Sequence, residues 1–258
     1  ARLMGHVEHS RTWGRLKGAA EIPLHEFIDS FTTNETRQNW YLHDWSLPAN
    51  CPEVFGPPPF RSFTVPKYFA GDYFQRAGFA GYRHSWPSLF IGSEKTVSKM
   101  HIDSGNTHFW LHLFSGTKEW RFYPRTELVN LYRAVRSSHF WFDVFNPDPD
   151  RFPLTEYAQM YTGIQKPGEL IFMPAGNPHA VRNLEPIHAI SMNYVDDSNI
   201  DLYLLDRIIH EDWSLVEMLT DGNSFPHGLS SEQKHLRFGE WKSVSWRHLN
   251  YDISNFKL

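Results

Sequence analysis

Between residues 61 and 195 the chain is cut into short apolar and aromatic runs by Gly, Pro, Asn and Asp. The runs fall at 61–65, 88–91, 95–101, 108–114, 119–123, 140–144, 160–164, 169–173, 179–184 and 188–194. The breaks include NPDPD at 146–150, PGE at 167–169 and PAGNP at 174–178. Short strands tied by such turns build a sandwich or a barrel. A doubly wound fold needs a helix between successive strands, and residues 160–195 leave no room for one. At 258 residues, 16% of them aromatic, the chain can bury a bulky core without a staple. It has a single cysteine, Cys51, which excludes an intramolecular disulfide and any Cys-rich zinc finger. Cys51 sits in a turn-rich stretch and is read as a small packed side chain.

The flanks read differently. Residues 1–34 form a lead-in, with a helix over 23–31 where Leu24, Phe27, Ile28 and Phe31 follow helical spacing and Pro23 suits the first turn. Residues 35–62 are turn-rich and are expected to wrap the barrel. A short helix is predicted at 126–135. A stronger one is predicted at 203–219, with Leu205, Ile208, Ile209, Trp213, Val216 and Leu219 as its apolar stripe. A last piece is expected at 229–241. The helices after the strands would cover a barrel edge or form a homodimer contact. The formal charge of −4 gives the chain no general pull on nucleic acid, and no run of 18 apolar residues suggests a membrane span. The chain opens with Ala1, so a native N-terminus and a targeting segment can lie outside it.

His101 and Asp103 are two residues apart. On extended backbone such residues face the same side and can reach one ion. His179, after the 174–178 turn, is the natural third ligand. Two histidines and a carboxylate form the facial set of non-haem Fe(II) oxygenases, which leaves coordination positions open. By itself a His-x-Asp also fits a surface turn with a solvated aspartate.

Lys118 follows Gly116 in a predicted hairpin, and strand parity puts it on the face of Trp120 and Phe122. If that face is interior, a buried ammonium stands among aromatics and calls for an anionic partner. A solvent-facing lysine is the alternative. Ser191 and Asn193 alternate with Ile190 and Met192 on the last predicted strand, and fit either a polar interior or an outer edge. Ser98 lies three before His101, which is the wrong parity unless a bulge intervenes. His108 and His112 point opposite to Leu111 and are read as packing or surface residues.

Together these segments resemble the JmjC family of Fe(II)- and 2-oxoglutarate-dependent oxygenases, nearest its small hydroxylase branch. The resemblance is carried by FTVPKYFAGDYF (63–74), HIDSGNTHFWLHLFSGTKEWRFYP (101–124), FNPDPDRFPLTEYAQ (145–159), KPGELIFMPAGNPHAV (166–181) and ISMNYV (190–195). It implies a mainly β fold, a double-stranded β-helix (jelly-roll, cupin-like) barrel with flanking N-terminal and C-terminal helices. The catalytic domain would be 35–196, between the lead-in 1–34 and a C-terminal helical extension at 197–258. The implied iron triad is His101, Asp103 and His179. Lys118 is implied to pair with the far carboxylate of 2-oxoglutarate, with Ser191, Asn193, Ser98 and Thr107 as further co-substrate positions. Leu111 departs from the branch, which often carries Asn there.

The resemblance implies an enzyme that uses Fe(II), 2-oxoglutarate and O2 and releases succinate and CO2. Hydroxylation of a protein side chain is the favoured reaction, because no histone-reader module, zinc finger or basic tail accompanies the domain. Demethylation of N-methyl-lysine or N-methyl-arginine would use the same site, and a non-catalytic cupin-like binding protein is the remaining alternative. A protein or peptide is the expected partner. Tyr68, Phe69, Tyr73, Phe74, Tyr82 and Trp86 would either line a peptide groove or fill the core. The cysteine usage suggests a cytoplasmic or nuclear setting.

Overall fold

A computed structural model of the chain describes residues 23–33, 40–51, 66–69, 72–76, 86–134 and 137–209. The expected strand at 61–65, Tyr82, the helix at 229–241 and the part of the 203–219 helix beyond residue 209 lie outside these residues.

Among the described residues, nine strands form two antiparallel sheets. The strands are β1 (Tyr41–Ser46), β2 (Ser88–Gly92), β3 (Val97–His101), β4 (His108–Ser115), β5 (Lys118–Phe122), β6 (Tyr161–Gln165), β7 (Leu170–Met173), β8 (His179–Asn183) and β9 (Ile187–Tyr194). The large sheet runs β1-β2-β9-β4-β7 and the small one β3-β8-β5-β6. Their facing sides make the core: Phe90, Phe109, Leu111, Leu113, Met173, Ile187 and Ala189 from the large sheet meet Trp120 and Val181 from the small one. This is the jelly-roll arrangement the turn-separated strands called for.

Each outer face has its own cover. On the small sheet, Met100 and Ala180 lie under Leu131, Phe142, Val144 and Phe152 from the long β5–β6 connection. On the large sheet, Ile91 meets Phe27 of the helix Leu24–Thr33, together with Leu42 and Trp45. Further along, Trp110, Ile190, Met192 and Tyr194 take Phe69, whose ring stacks on Trp110 with centroids 5.5 Å apart. Phe69, Tyr73 and Phe74 are therefore core side chains rather than a peptide groove, while Tyr68 is exposed. Cys51 packs, partly buried, beside Trp45.

Four other expectations are corrected. The 35–62 wrap contains a strand, β1, which extends the large sheet. Its register shifts between Leu42 and Trp45, where Asp44 has φ 55°, so two residues three apart share one buried face and the period of two is hidden. Residues 140–144 are not a strand. Only His139 and Phe140 make isolated bridges there, because Phe142 and Val144 alternate inward as a cover over the small sheet. The last described helix begins early, at Ile200, and buries Ile200, Tyr203, Leu204 and Ile208. That rotates Leu205 and Ile209 outward, so of the expected stripe within reach only Ile208 is buried. The short helix expected from 126 is a 3₁₀ helix at Arg125–Asn130.

Candidate metal centre and anion site

Two imidazoles meet because β3 and β8 pair antiparallel with His101 directly opposite His179. Their ring centroids are 4.3 Å apart. The backbone stays extended past the end of β3 (Asp103 φ −62°, ψ 142°), so Asp103 returns to the same side as His101. His101, Asp103 and His179 each offer one ligand atom, and these atoms lie within 4.8 Å of one another. Both histidines are oriented from behind. His101 Nδ1 is 2.6 Å from the Lys99 carbonyl and His179 Nδ1 is 3.0 Å from that of Asn177. A carbonyl only accepts, so Nδ1 carries the proton and Nε2 presents its lone pair. His101 Nε2 faces Asp103 Oδ1 at 3.6 Å. The other carboxylate oxygen, Oδ2, accepts from Asn193 Nδ2 at 3.1 Å, and that amide also donates to Thr107 Oγ1 at 2.9 Å. The donor set therefore fits a divalent ion bound by two imidazoles and one oxygen of a tethered carboxylate.

The electrostatics agree with such a set. Burial pushes the His179 ring down to about 4, helped by the charge of His101 and opposed by Asp103 and its Asn177 bond. Burial works against the Asp103 carboxylate, but His101, His179 and Asn193 outweigh it and hold its pKa below the usual range. At neutral pH the set presents a neutral His179 and a carboxylate. The flank of His179 is walled by Phe109 and Trp120, with centroids 4.9 and 6.3 Å from its ring.

Lys118 is on the same interior side. Along β8, His179, Val181 and Asn183 share a face, and Lys118 of β5 is paired with Asn183. Four residues of strand separate His179 from that pair, or ~13 Å of backbone. Lys118 is 1% exposed, and its Nζ donates to Asn183 Oδ1 at 2.9 Å. Among the described residues no carboxylate pairs with it, and desolvation lowers its pKa to about 7.

The remaining expected residues are placed as follows. Ser98 is buried on the interior side because a bulge between Ser98 and His101 corrects its parity, and its Oγ lies 3.4 Å from His43 Nε2. Ser191 also faces inward, opposite Leu111, with its hydroxyl donating to the Trp110 carbonyl at 2.9 Å. Asn193 donates to both Asp103 and Thr107, so Thr107 meets Asp103 only through Asn193. Leu111 is apolar core. His108 accepts from the Ala175 amide and bonds Ser198, a packing role on the outer face.

Three interior residues escaped the sequence reading. Tyr41 has its ring 5.8 Å from Lys118 Nζ and its hydroxyl within bonding reach of Ser98 and Asn183. Burial raises its pKa above the ordinary tyrosine value. His43, edge-on to Tyr41 and Phe90, is driven down to about 3 by burial and by the charges of His101 and Lys118. Asn183 is the third. The bulge in β1 hid the first two, and a Tyr-x-His alternation is the one signal that points inward.

The sequence profile of the cupin-like domain family matches residues 8–200, and the chain belongs to that family. Over 190 residues it is 27% identical to the chicken 2-oxoglutarate and iron-dependent oxygenase JMJD4, covering 70% of this chain and 43% of that protein. It is 28% identical over 189 residues to lysine-specific demethylase JMJ21 of Arabidopsis thaliana, covering 70% of this chain and 19% of that protein. It is 29% identical over 208 residues to arginine-specific demethylase JMJ22 of the same plant, covering 77% and 38%. The matched region is under half the length of each of these relatives. The JmjC resemblance drawn from the motifs agrees with them.

Proposed function

We propose that the chain is an Fe(II)- and 2-oxoglutarate-dependent oxygenase that hydroxylates a protein side chain. One observation carries the reading. A His-Asp-His set within 4.8 Å and a buried lysine with no acidic partner among the described residues share the interior of one barrel. When bound, Fe(II) and 2-oxoglutarate supply O2 activation, with succinate and CO2 as products. His101 and His179 would hold the ion through Nε2 and Asp103 through Oδ1, while Asn193 keeps Oδ2 turned away. Lys118 would receive the far carboxylate of 2-oxoglutarate, a charged hydrogen bond worth ~1.5–3 kcal/mol. Phe109, Leu111 and Trp120 keep bulk water from the space between.

The relatives named 2-oxoglutarate and iron-dependent oxygenases support this chemistry. Those named lysine- and arginine-specific demethylases support a second reading, in which the same site attacks an N-methyl group. The triad and Lys118 together argue against a purely binding cupin-like role. We assign a protein or peptide as substrate rather than nucleic acid, given the net charge of −4. A cytoplasmic or nuclear setting fits the lone Cys51. A homodimer contact through the C-terminal helices would draw on the exposed Leu205 and Ile209. Mass spectrometry of candidate peptides after incubation with Fe(II), O2 and 2-oxoglutarate tests the reaction. Gain of one oxygen supports hydroxylation, loss of a methylene group supports demethylation, and no change in any peptide, with no succinate formed, contradicts both.

A further inference from the structure

Lys118 and Asn183 are both 1% exposed, and the side chain that meets the ammonium is an amide. Only the carbonyl end of an amide can face an ammonium, so the Oδ1–Nζ contact of 2.9 Å fixes which way Asn183 points. Its Nδ2 is then committed elsewhere: it donates to Thr96 Oγ1 at 2.7 Å, and that hydroxyl donates to the Ser93 carbonyl at 2.7 Å. The backbone is tied to the same turn, Asn183 N to the Thr96 carbonyl at 2.9 Å and Lys95 N to the Asn183 carbonyl at 2.8 Å. Gly92 makes the room, since a Cβ there would stand 2.5 Å from Asn183 Nδ2 and 2.9 Å from the Tyr41 ring. Asn183 is thus held at four points in one orientation, aimed at Lys118.

A buried ammonium is ordinarily neutralised by an acid. Aspartate has nearly the size and shape of asparagine and at position 183 would do that. The amide gives direction without charge.

We propose that Asn183 sets the charge selectivity of the barrel interior: it aims Lys118 as a neutral acceptor and leaves the ammonium for an anionic ligand to neutralise. The proposal rests on the reading of this interior as a dicarboxylate site. Asn183 is a positioning residue, acting on the ligand through Lys118. Beside the pair, burial keeps the Tyr41 hydroxyl protonated at neutral pH, so it does not substitute for the missing anion.

The test uses the whole chain with Mn(II) as a redox-silent ion and calorimetric titration of two ligands. One is 2-oxoglutarate and the other is its uncharged-end analogue, the 5-amide. Wild type is expected to prefer 2-oxoglutarate. Asn183→Asp is expected to bind Mn(II) as wild type does and to unfold at no lower temperature without ligand. Its preference for the dianion over the amide should fall at least ~10-fold, the scale of a charged hydrogen bond. Asn183→Ser, neutral but shorter, should weaken both ligands and keep the preference. An unchanged preference in Asn183→Asp, failure of that variant to fold, or a collapsed preference in Asn183→Ser overturns the proposal and leaves the dicarboxylate reading standing. Wild type that takes Mn(II) but neither ligand overturns both.

Discussion

On the proposed reading, two side chains decide whether the site does chemistry. His179 supplies a lone pair that no neighbour replaces among the described residues, because Phe109 and Trp120 flank it. His179→Ala is expected to lose succinate formation by at least ~100-fold, since displacing even a ligand's orienting partner costs roughly 10–100-fold. Turnover close to wild type would remove His179 from the centre. On the same reading, Lys118 would make co-substrate binding pH-dependent. Desolvation lowers its pKa to about 7, while an anion beside it favours the charged form. Above pH 7, ligand binding must take up a proton, so 2-oxoglutarate affinity should fall ~10-fold per pH unit until the pKa of the complex is reached. Affinity that is flat or rising from pH 7 to 9 would contradict this, and Lys118→Met should abolish the slope. For the ligand-free fold the sign is opposite. The unfolded chain binds the extra proton between pH 7 and the ordinary lysine value of 10.5, so this group adds stability as pH rises through that window.

At the scale of elements, bulges and one tight turn place the chemistry. The bulge in β3 sends Ser98 inward three residues before His101, and the bulge in β1 does the same for Tyr41 and His43 relative to Leu42 and Trp45. The turn after Asp103 depends on Gly105, with φ 67° and a Cβ position 2.8 Å from the Tyr203 ring of the C-terminal helix. Gly105→Ala should destabilise the protein by about 1–3 kcal/mol, through left-handed backbone and the clash together. A thermal midpoint equal to wild type would mean that the helix does not rest on this turn. These details explain what the sequence left illegible. The period of two reveals strands such as β4, β5 and β9 and puts Lys118 on one face with Trp120 and Phe122, but it does not say which face is interior. It fails wherever an extra residue flips the parity, as at Asp44. It also fails where a loop imitates a strand, as at Phe140, Phe142 and Val144.

For the molecule as a whole, the barrel brings the proposed metal set from β3, β8 and the turn beyond β3 to one side of a common interior, and a lysine from β5 toward the other. The triad was readable because His-x-Asp on extended backbone and a histidine opening a later strand are local patterns. Asn183 was not, because its partner Lys118 is 65 residues away and only the pairing of β5 with β8 joins them. The roles of the triad and the lysine are tested together by a crystal structure of the chain with Mn(II) and 2-oxoglutarate. The expected result is one ion held by His101 Nε2, His179 Nε2 and a single Asp103 oxygen, with 2-oxoglutarate bound between it and Lys118 Nζ. An ion held by other residues, or a co-substrate whose far carboxylate lies away from Lys118, would contradict the account.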